Sequence, residues 1–365
     1  MEQRSSLQRF NQVLLGFLLF FGLLYLGRSF LIPVAIGGLF AMLLVPICQR
    51  LEKWKLSRAA AALICVFAVV IILLGLISVL ITQIFALAND LPELGKMLTA
   101  KLDQARTFAS DKFNLSREKQ NEYVQNQLEG ATQMAGSYIR SILLSTSSFL
   151  LNFVVVITYT LLFLIYRRRL RNFILKLVRD REGSYAQSIV NKITGVASSY
   201  ISGVFLVVVI LATVNTLGLL VIGIEHALFF GLLAGLLNII PYIGSLAGSL
   251  IPVIFALLTK ESLWYPVGVA IFFLVVQQIE SYILTPNITG SKIKLSAMAT
   301  LMVLLLGSMI WGVAGMILFV PYLGILKVVF DNIEKLQPYG YILGNEEEAE
   351  PKQIPAKIAP EGDFD

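Results

Sequence analysis

Charge is what this sequence has least of: Asp, Glu, Lys and Arg together make up 14% of 365 residues, against 57% apolar residues. A soluble domain carries roughly 25% charged residues, so a water-facing surface over most of this chain is excluded. Histidine is nearly absent. His226 stands alone, which excludes a histidine-paired metal centre and a serine–histidine relay. Cys48 and Cys65 are the two cysteines, too few for a disulfide framework and wrongly spaced for a metal site, and they read as small buried hydrophobes. No Walker-type phosphate loop occurs, so the chain by itself has no means of drawing on ATP. No paired aspartates lie within the apolar runs. Neither an enzyme nor a cofactor or metal is expected.

What the sequence does have is long apolar runs, with its charges gathered into 1–9, 49–58, 89–140, 167–192 and 327–365. About 20 apolar residues wound as a helix match the hydrocarbon thickness of a bilayer. Lipid demands that each backbone amide find its partner inside its own segment. Continuous runs, rather than the short alternating segments of a membrane barrel, predict an all-α, polytopic transmembrane bundle of about eight spans. The formal charge of +6 sits beside these runs, where basic residues fix membrane orientation; nucleic acid is not an expected partner.

Span one is read at Phe10–Gly27 and span two at Phe30–Ile47, with Arg28 and Ser29 as a tight hairpin between them. Arg4 and Arg9 before an apolar run resemble a signal peptide, but no small-x-small cleavage site follows, and the run reads as an uncleaved first span. Arg50, Lys53, Lys55 and Arg58 make the next loop cytoplasmic, and the N-terminus with it. Span three covers Ala59–Phe85. Residues 89–142 are polar, with acids and bases in balance. Asn89 and Asp90 before Pro92 read as a helix start, and the apolar stripes that follow predict a periplasmic amphipathic hairpin. Span four, Ser147–Tyr166, ends in Arg167-Arg168-Arg169-Leu170-Arg171, which by the same rule is cytoplasmic.

A cytoplasmic helix near 184–200 then precedes span five at Ile201–Ile222. The run Ala227–Leu258 is too long for one simple span and is broken at 238–244. Span seven is read at Leu263–Ile279 and span eight at Ala297–Phe319, its helix continuing to Phe330. If 227–258 crosses once, Lys292 and Lys294 fall outside, against the positive-inside rule; a hairpin that enters and returns would flip the later orientations. Four acids within 346–350 and Pro351, Pro355 and Pro360 predict a disordered tail. The resulting organisation is 1–88 for spans one to three, 89–142 for the periplasmic insert, 143–200 for span four and a basic helix, 201–331 for a transport core, and 332–365 for a cytoplasmic tail.

Irregular, polar backbone at membrane depth is tolerated where protein or a water-lined cavity shields it, and broken helices there hold substrates and ions in transporters. Two such breaks occur. At the first, Asn238-Ile239-Ile240-Pro241-Tyr242-Ile243-Gly244, Pro241 removes a helix bond and frees a carbonyl near Leu237, while Asn238 offers a side-chain amide. Gly231 and Gly235, then Gly244 and Gly248, form two small-xxx-small patterns for close helix contact. A plain structural kink explains the same residues. At the second, Gln277, Glu280 and Ser281 share a helical face and are followed by Pro286, Asn287 and Gly290. Glu280 is the one carboxylate between Glu261 and Asp331. A carboxylate near a span usually faces an interior or an aqueous path, though an interfacial, solvated Glu280 fits the sequence equally well. Glu225 and His226 lie in a short turn and are expected to face water.

At these residues the sequence resembles the AI-2E family of transporters, also called PerM-like permeases. The segments that carry the likeness are 238–258, 277–307 and 311–331. In them a Pro-Tyr-x-Gly turn falls at Pro241, Tyr242 and Gly244, and a Gln-x-x-Glu helix end at Gln277 and Glu280. Pro-x-x-x-Gly follows at Pro286 and Gly290, then Gly312, Gly315, Val320 and Pro321. Ser296-Ala297 departs from the His-Pro found there in relatives, which weakens any role carried over to that loop. The resemblance implies a secondary exporter of small molecules, with some members described as autoinducer-2 exporters and others as sodium/proton antiporters, and it implies a homo-oligomer.

The expected function is therefore an inner-membrane exporter of a small, autoinducer-2-like solute, with H+ or Na+ as a possible coupling ion. Its expected path is Asn238, Pro241, Tyr242, Gly244, Gln277, Glu280, Pro286, Asn287 and Gly290. Two rivals stand beside it: a sodium/proton antiporter that titrates Glu280, and a non-transporting membrane scaffold that binds partners through 89–142.

Overall fold

A computed structural model describes residues 6–113, 150–176, 183–241, 243–290 and 295–345. The described residues are almost entirely helical. The elements are α1 (Ser6–Leu26), α2 (Arg28–Lys53), α3 (Arg58–Phe113), α4 (Leu150–Lys176), α5 (Gly183–Ile222), α6 (Ala227–Leu237), α7 (Ile243–Thr259), α8 (Trp264–Ile279), α9 (Ala297–Trp311), α10 (Val313–Asn332) and α11 (Gln337–Leu343). Six stretches are long and apolar enough to cross a membrane: Arg28–Lys53, Arg58–Asp90, Leu150–Lys176, Gln187–Ile222, Trp264–Thr289 and Val313–Asn332. Four apolar helices are shorter. Between 11% and 33% of the most apolar window of each long stretch is buried within the chain. The rest turns Leu, Ile, Val and Phe side chains outward. Such a surface is unstable in water and is what a bilayer solvates, so this is a multi-pass membrane protein.

Several expected boundaries shift, each for a local reason. Arg28 and Ser29 do not form a loop; both are helical in α2, and Gly27 alone departs, its N–H still bonded to Leu23 O at 2.8 Å. α3 runs through Pro92 instead of restarting at Asn89. Proline in a helix removes one hydrogen bond, and here tertiary contact offsets the loss: Leu87 and Leu94 pack on the core beneath α6 and α7, and Lys101 Nζ donates to Lys260 O at 3.2 Å. The second half of the expected periplasmic hairpin, 114–142, lies outside the described residues. The helix near 184–200 and span five are one helix, α5. Residues 337–343, expected in the disordered tail, form α11, and a Cβ on Gly340 would strike Asp331 of α10, so the two helices touch at a residue without a side chain. The tail from 346 lies outside the described residues.

The chain divides into two compact units. One comprises 1–28, 168–201 and 289–365. Its centre is the hairpin α9–α10, where expected span eight breaks at Gly312. That residue has φ 60° and ψ −137°, a conformation L side chains scarcely reach, and it lets the chain reverse at once. Ser296 caps α9 by accepting from Ala299 N at 3.2 Å. Trp311 Nε1 donates to Leu24 O at 2.9 Å, tying α1 to the turn. Lys327, buried, pairs with Asp331 one turn on at 2.7 Å.

The other unit comprises 29–167 and 202–288. At one end Glu52, in the last turn of α2, pairs with Arg167 of α4. Ser57 caps α3 there, accepting from Ala60 N at 3.2 Å. Cys48 and Cys65 are free and buried in the core between α2, α3 and α4. At the other end His226 Nε2 meets Asp90 Oδ2 at 2.8 Å, and Lys260 Nζ meets Glu225 Oε1 at 3.2 Å. Glu225 precedes α6 and Lys260 follows α7. Both ends of the α6–α7 hairpin therefore lie together, and 227–258 doubles back on itself. With 11 residues and about 1.5 Å of rise per residue, α6 is about half as long as a ~30 Å hydrocarbon layer is thick.

Candidate functional site

The hairpin tip is built by backbone bonds that end one helix before the next begins. Asn238 N–H still reaches Ala234 O at 3.2 Å, and Ile239 and Ile240 close tighter turns onto Leu236 O and Leu237 O at 3.2 and 2.8 Å. The carbonyl expected to be freed at Leu237 is thus taken by Ile240. Pro241 has no N–H to continue the helix, and Gly244 N restarts the chain from Ile240 O at 2.9 Å. A Cβ on Gly244 would strike the Leu237 carbonyl, and one on Gly248 would lie 2.9 Å from Ala234 Cα. Both glycines of the second expected pair therefore set the approach of α7 to α6. Those of the first pair, Gly231 and Gly235, face Thr216 and Ala212 of α5 instead.

α8 is regular to Ile279 and then widens. Over Glu280–Leu284 and Pro286–Gly290 the helix takes the π form, with Thr285 N–H bonded to Glu280 O, five residues back. A proline ring clashes with the carbonyl four residues before it; a wider turn relieves the clash ahead of Pro286. Such widened turns recur at functional sites, because they displace side chains from regular helical register.

The two interruptions meet. Asn238 Nδ2 donates to Glu280 Oε1 at 2.6 Å across 42 residues of chain. Beside this bond is a cavity of about 20 Å³ with five polar residues in its wall: Asn215, Asn238, Ser245, Gln277 and Glu280. The remaining wall is apolar side chains and glycine, Gly244 included, and no Lys or Arg contributes. That volume suits one water-sized occupant. A larger cavity of about 240 Å³, between α2, α3 and α4, is lined almost wholly by apolar side chains. Asn152 and Thr160 are its two polar lining residues, against five at the smaller cavity.

Of the residues expected on the path, Asn238, Gly244, Gln277 and Glu280 are brought to this cavity. Pro241 shapes the tip and Pro286 and Gly290 the widened helix, without lining it. Asn287 turns its Nδ2 back to Ile283 O at 2.7 Å, on its own helix. Gln277 Nε2 and Ser281 Oγ are 3.4 Å apart, so the shared face is real, although Ser281 stays off the cavity. Tyr242 lies outside the described residues. Glu225 faces water as expected while pairing with Lys260, whereas His226, expected to do the same, is mostly covered and paired with Asp90.

Sequence reasoning missed Asn215. It sits in the middle of α5, is 4% exposed, and its Oδ1 has no hydrogen-bond partner. The signal was available: an asparagine inside the run Leu211–Leu220 is as costly in lipid as the polar residues that did draw attention.

The sequence pattern of the AI-2E family transporter matches residues 14–335. YueF of Bacillus subtilis, a protein named for a proposed transport role, is 25% identical over 320 residues, covering 83% of this chain and 84% of its own. YhhT of Escherichia coli K12, named likewise, is 23% identical over 321 residues, or 88% and 90% of the two chains. YrrI of Bacillus subtilis is 34% identical over 130 residues, 36% of each. With nearly its whole membrane-embedded length matched, this chain belongs to the AI-2E family of transporters.

Proposed function

We propose that the protein is a secondary-active exporter of a small solute, with the meeting point of the hairpin tip and the widened α8 as its transport site. The observation that carries the reading is the Asn238–Glu280 bond, because it joins two stretches of irregular backbone at about mid-membrane depth. Half-helix ends and unwound turns at that depth are where secondary transporters hold their cargo. The cavity of about 20 Å³ is too small for a solute of autoinducer-2 size, so solute entry requires the hairpin and α8 to part. Glu280 is then both a contact for solute and the group through which a cation is coupled. Family resemblance points to an autoinducer-2-like solute.

Orientation follows from charge. Glu52–Arg167 gathers Arg50, Lys53, Arg58 and Arg167 to one end of their unit, which the positive-inside rule makes cytoplasmic. In a bacterial inner membrane this places the N-terminus inside. Because the α6–α7 hairpin returns, α8 then runs toward the cytoplasmic side. The outward apolar side chains of the bundle suit either lipid or a second copy, and a homo-oligomer is the reading family resemblance favours.

The test is counterflow of labelled autoinducer-2, then of a panel of small polar solutes, in proteoliposomes. Wild-type protein should accelerate exchange, and Asn238→Ala and Glu280→Gln should slow it at least tenfold. Unchanged exchange by both variants would remove the site. A sodium/proton antiporter is favoured instead if Na+ drives proton release with no solute exchanged and Glu280→Gln abolishes its pH dependence.

A further inference from the structure

The α6–α7 hairpin is held at its base by one face of α3. Leu87 and Leu94 of α3 pack on the core that Phe229, Phe230 and Phe255 build, and Asp90 falls between them at three- and four-residue spacing. Its Oδ2 meets His226 Nε2 at 2.8 Å. His226 immediately precedes α6, and its ring stands edge-on to Phe255 of α7, 5.9 Å between centroids. Further along α3, Lys101 Nζ donates to Lys260 O at 3.2 Å, just past the end of α7. One helix therefore grips both ends of the hairpin. The connection from α5 into the hairpin, residues 223–226, holds two left-handed residues, Gly223 at φ 84° and His226 at φ 54°. Glycine takes that conformation freely, whereas a residue with a Cβ does so at a cost. His226 keeps it where its ring is fixed between Asp90 and Phe255.

We propose that Asp90 and His226 form a proton-tightened clasp, which holds the base of the hairpin to α3 and sets how readily the hairpin swings away from it. His226 is the one histidine of the chain, and histidine is the side chain that changes charge between about pH 5 and 8. A neutral imidazole can still donate its Nε2–H to the carboxylate. A protonated one makes the same bond charge-assisted, shorter and stronger. Few other charges lie near the ring. α6 and α7 carry none, and α5 carries none after Lys192. α3 contributes Asp90 and, within its next two turns, Glu93 and Lys96; the flanks of the hairpin contribute Glu225, Lys260 and Glu261. Lys260 is engaged by Glu225 at 3.2 Å. Carboxylates and amines ordinarily titrate outside the range of histidine. Acid therefore tightens the clasp as His226 gains its charge, alkali relaxes it, and acid strong enough to protonate Asp90 relaxes it again. Asp90 lies at the far end of its span from Arg58, so with the basic end cytoplasmic the clasp senses external acidity. This proton regulates and is not carried, because the clasp lies at the base of the hairpin and Glu280 meets its tip. The effect of the clasp on exchange rests on the transport-site reading; its effect on the hairpin does not.

The experiment uses the full chain in lipid nanodiscs. Hydrogen–deuterium exchange of the backbone at the hairpin base is followed by mass spectrometry from about pH 5 to about pH 8, each rate divided by the intrinsic rate at that pH. Protection in the wild type should fall roughly three- to tenfold as the pH rises, a modest change because the Asp90 side chain is 52% exposed. Asp90→Asn should abolish the dependence and leave protection at its alkaline level. His226→Asn, a residue that suits left-handed backbone, should abolish it too and covers the case in which the first variant does not fold. Glu225→Gln breaks the neighbouring pair and should leave the dependence in place. Protection that ignores pH in the wild type, or a dependence that survives Asp90→Asn or is lost in Glu225→Gln, would overturn the proposal. Counterflow at both ends of the pH range separates the clasp from the transport reading. Exchange slowed by external acid in the wild type but not in Asp90→Asn supports both. Clasp-dependent protection with exchange indifferent to it keeps the clasp and removes the hairpin as the moving part. No exchange in any variant at either pH sinks the transport reading and leaves the clasp standing on its protection.

Discussion

Two helical hairpins, α6–α7 and α9–α10, use one packing device for different ends. Each reverses the chain between two apolar helices, and each closes on glycines where a side chain would strike backbone: Gly244 against Leu237 in the first, Gly315 against Gly307 in the second. They differ at the turn. The second turns on Gly312 alone and is anchored by an indole bond to Leu24 O and by Trp311 edge-on to Phe319, 5.1 Å between ring centroids. The first spends residues 238–241 on its turn and presents Asn238 to Glu280. A reversal needs only one glycine. The extra, polar residues of the first hairpin therefore serve something other than reversal, and that surplus is what supports the proposal of a transport site there.

The comparison can be broken at several points. The largest effect is expected from Gly244→Leu, which places a branched side chain into the Leu237 carbonyl; overpacking costs about 1–3 kcal/mol or more. It should reduce the yield of monodisperse protein on size exclusion, and Gly315→Leu should do the same, because packing is the shared device. Next comes Glu280→Gln. It should slow counterflow at least tenfold while leaving Tm within a few degrees, whereas no single polar deletion at the Gly312 turn should touch the transport rate. Gly312→Ala forces an alanine into strained backbone at about 1–3 kcal/mol, visible as a lower Tm with exchange intact below it. The smallest effect belongs to Trp311→Phe. It removes the bond to Leu24 O, worth about 1 kcal/mol, and should lower Tm slightly with no change in exchange.

Much of the fold was legible in the sequence because lipid enforces simple rules. Uncharged runs gave the helices, and the basic clusters at 50–58 and 167–171 anticipated the end of the unit where Glu52 and Arg167 meet. Asn238, Gln277 and Glu280 were legible as polar residues in apolar surroundings. Other features were not, since local signals were outweighed by distant contacts. Pro92 read as a helix boundary, but α3 continues through it because Leu94 and Lys101 find partners 130 or more residues away. The return of 227–258 is decided by Glu225 meeting Lys260, a pairing no spacing rule announces. The bond of Asn287 Nδ2 to Ile283 O on its own helix is likewise announced by no spacing rule. Asn215 shows the opposite error: with no proline nearby the helix stays unbroken through it, and so it drew no attention.

The central claim is that the Asn238–Glu280 pair itself forms part of the transport site, and reversing the pair tests it most directly. Counterflow is measured in proteoliposomes for Asn238→Asp, Glu280→Gln and the double variant, with protein folding checked by Tm. The account predicts that each single variant slows exchange at least tenfold and that the double variant, with carboxylate and amide exchanged across the same contact, recovers a substantial part of it. Single variants that exchange solute at the wild-type rate would contradict the claim.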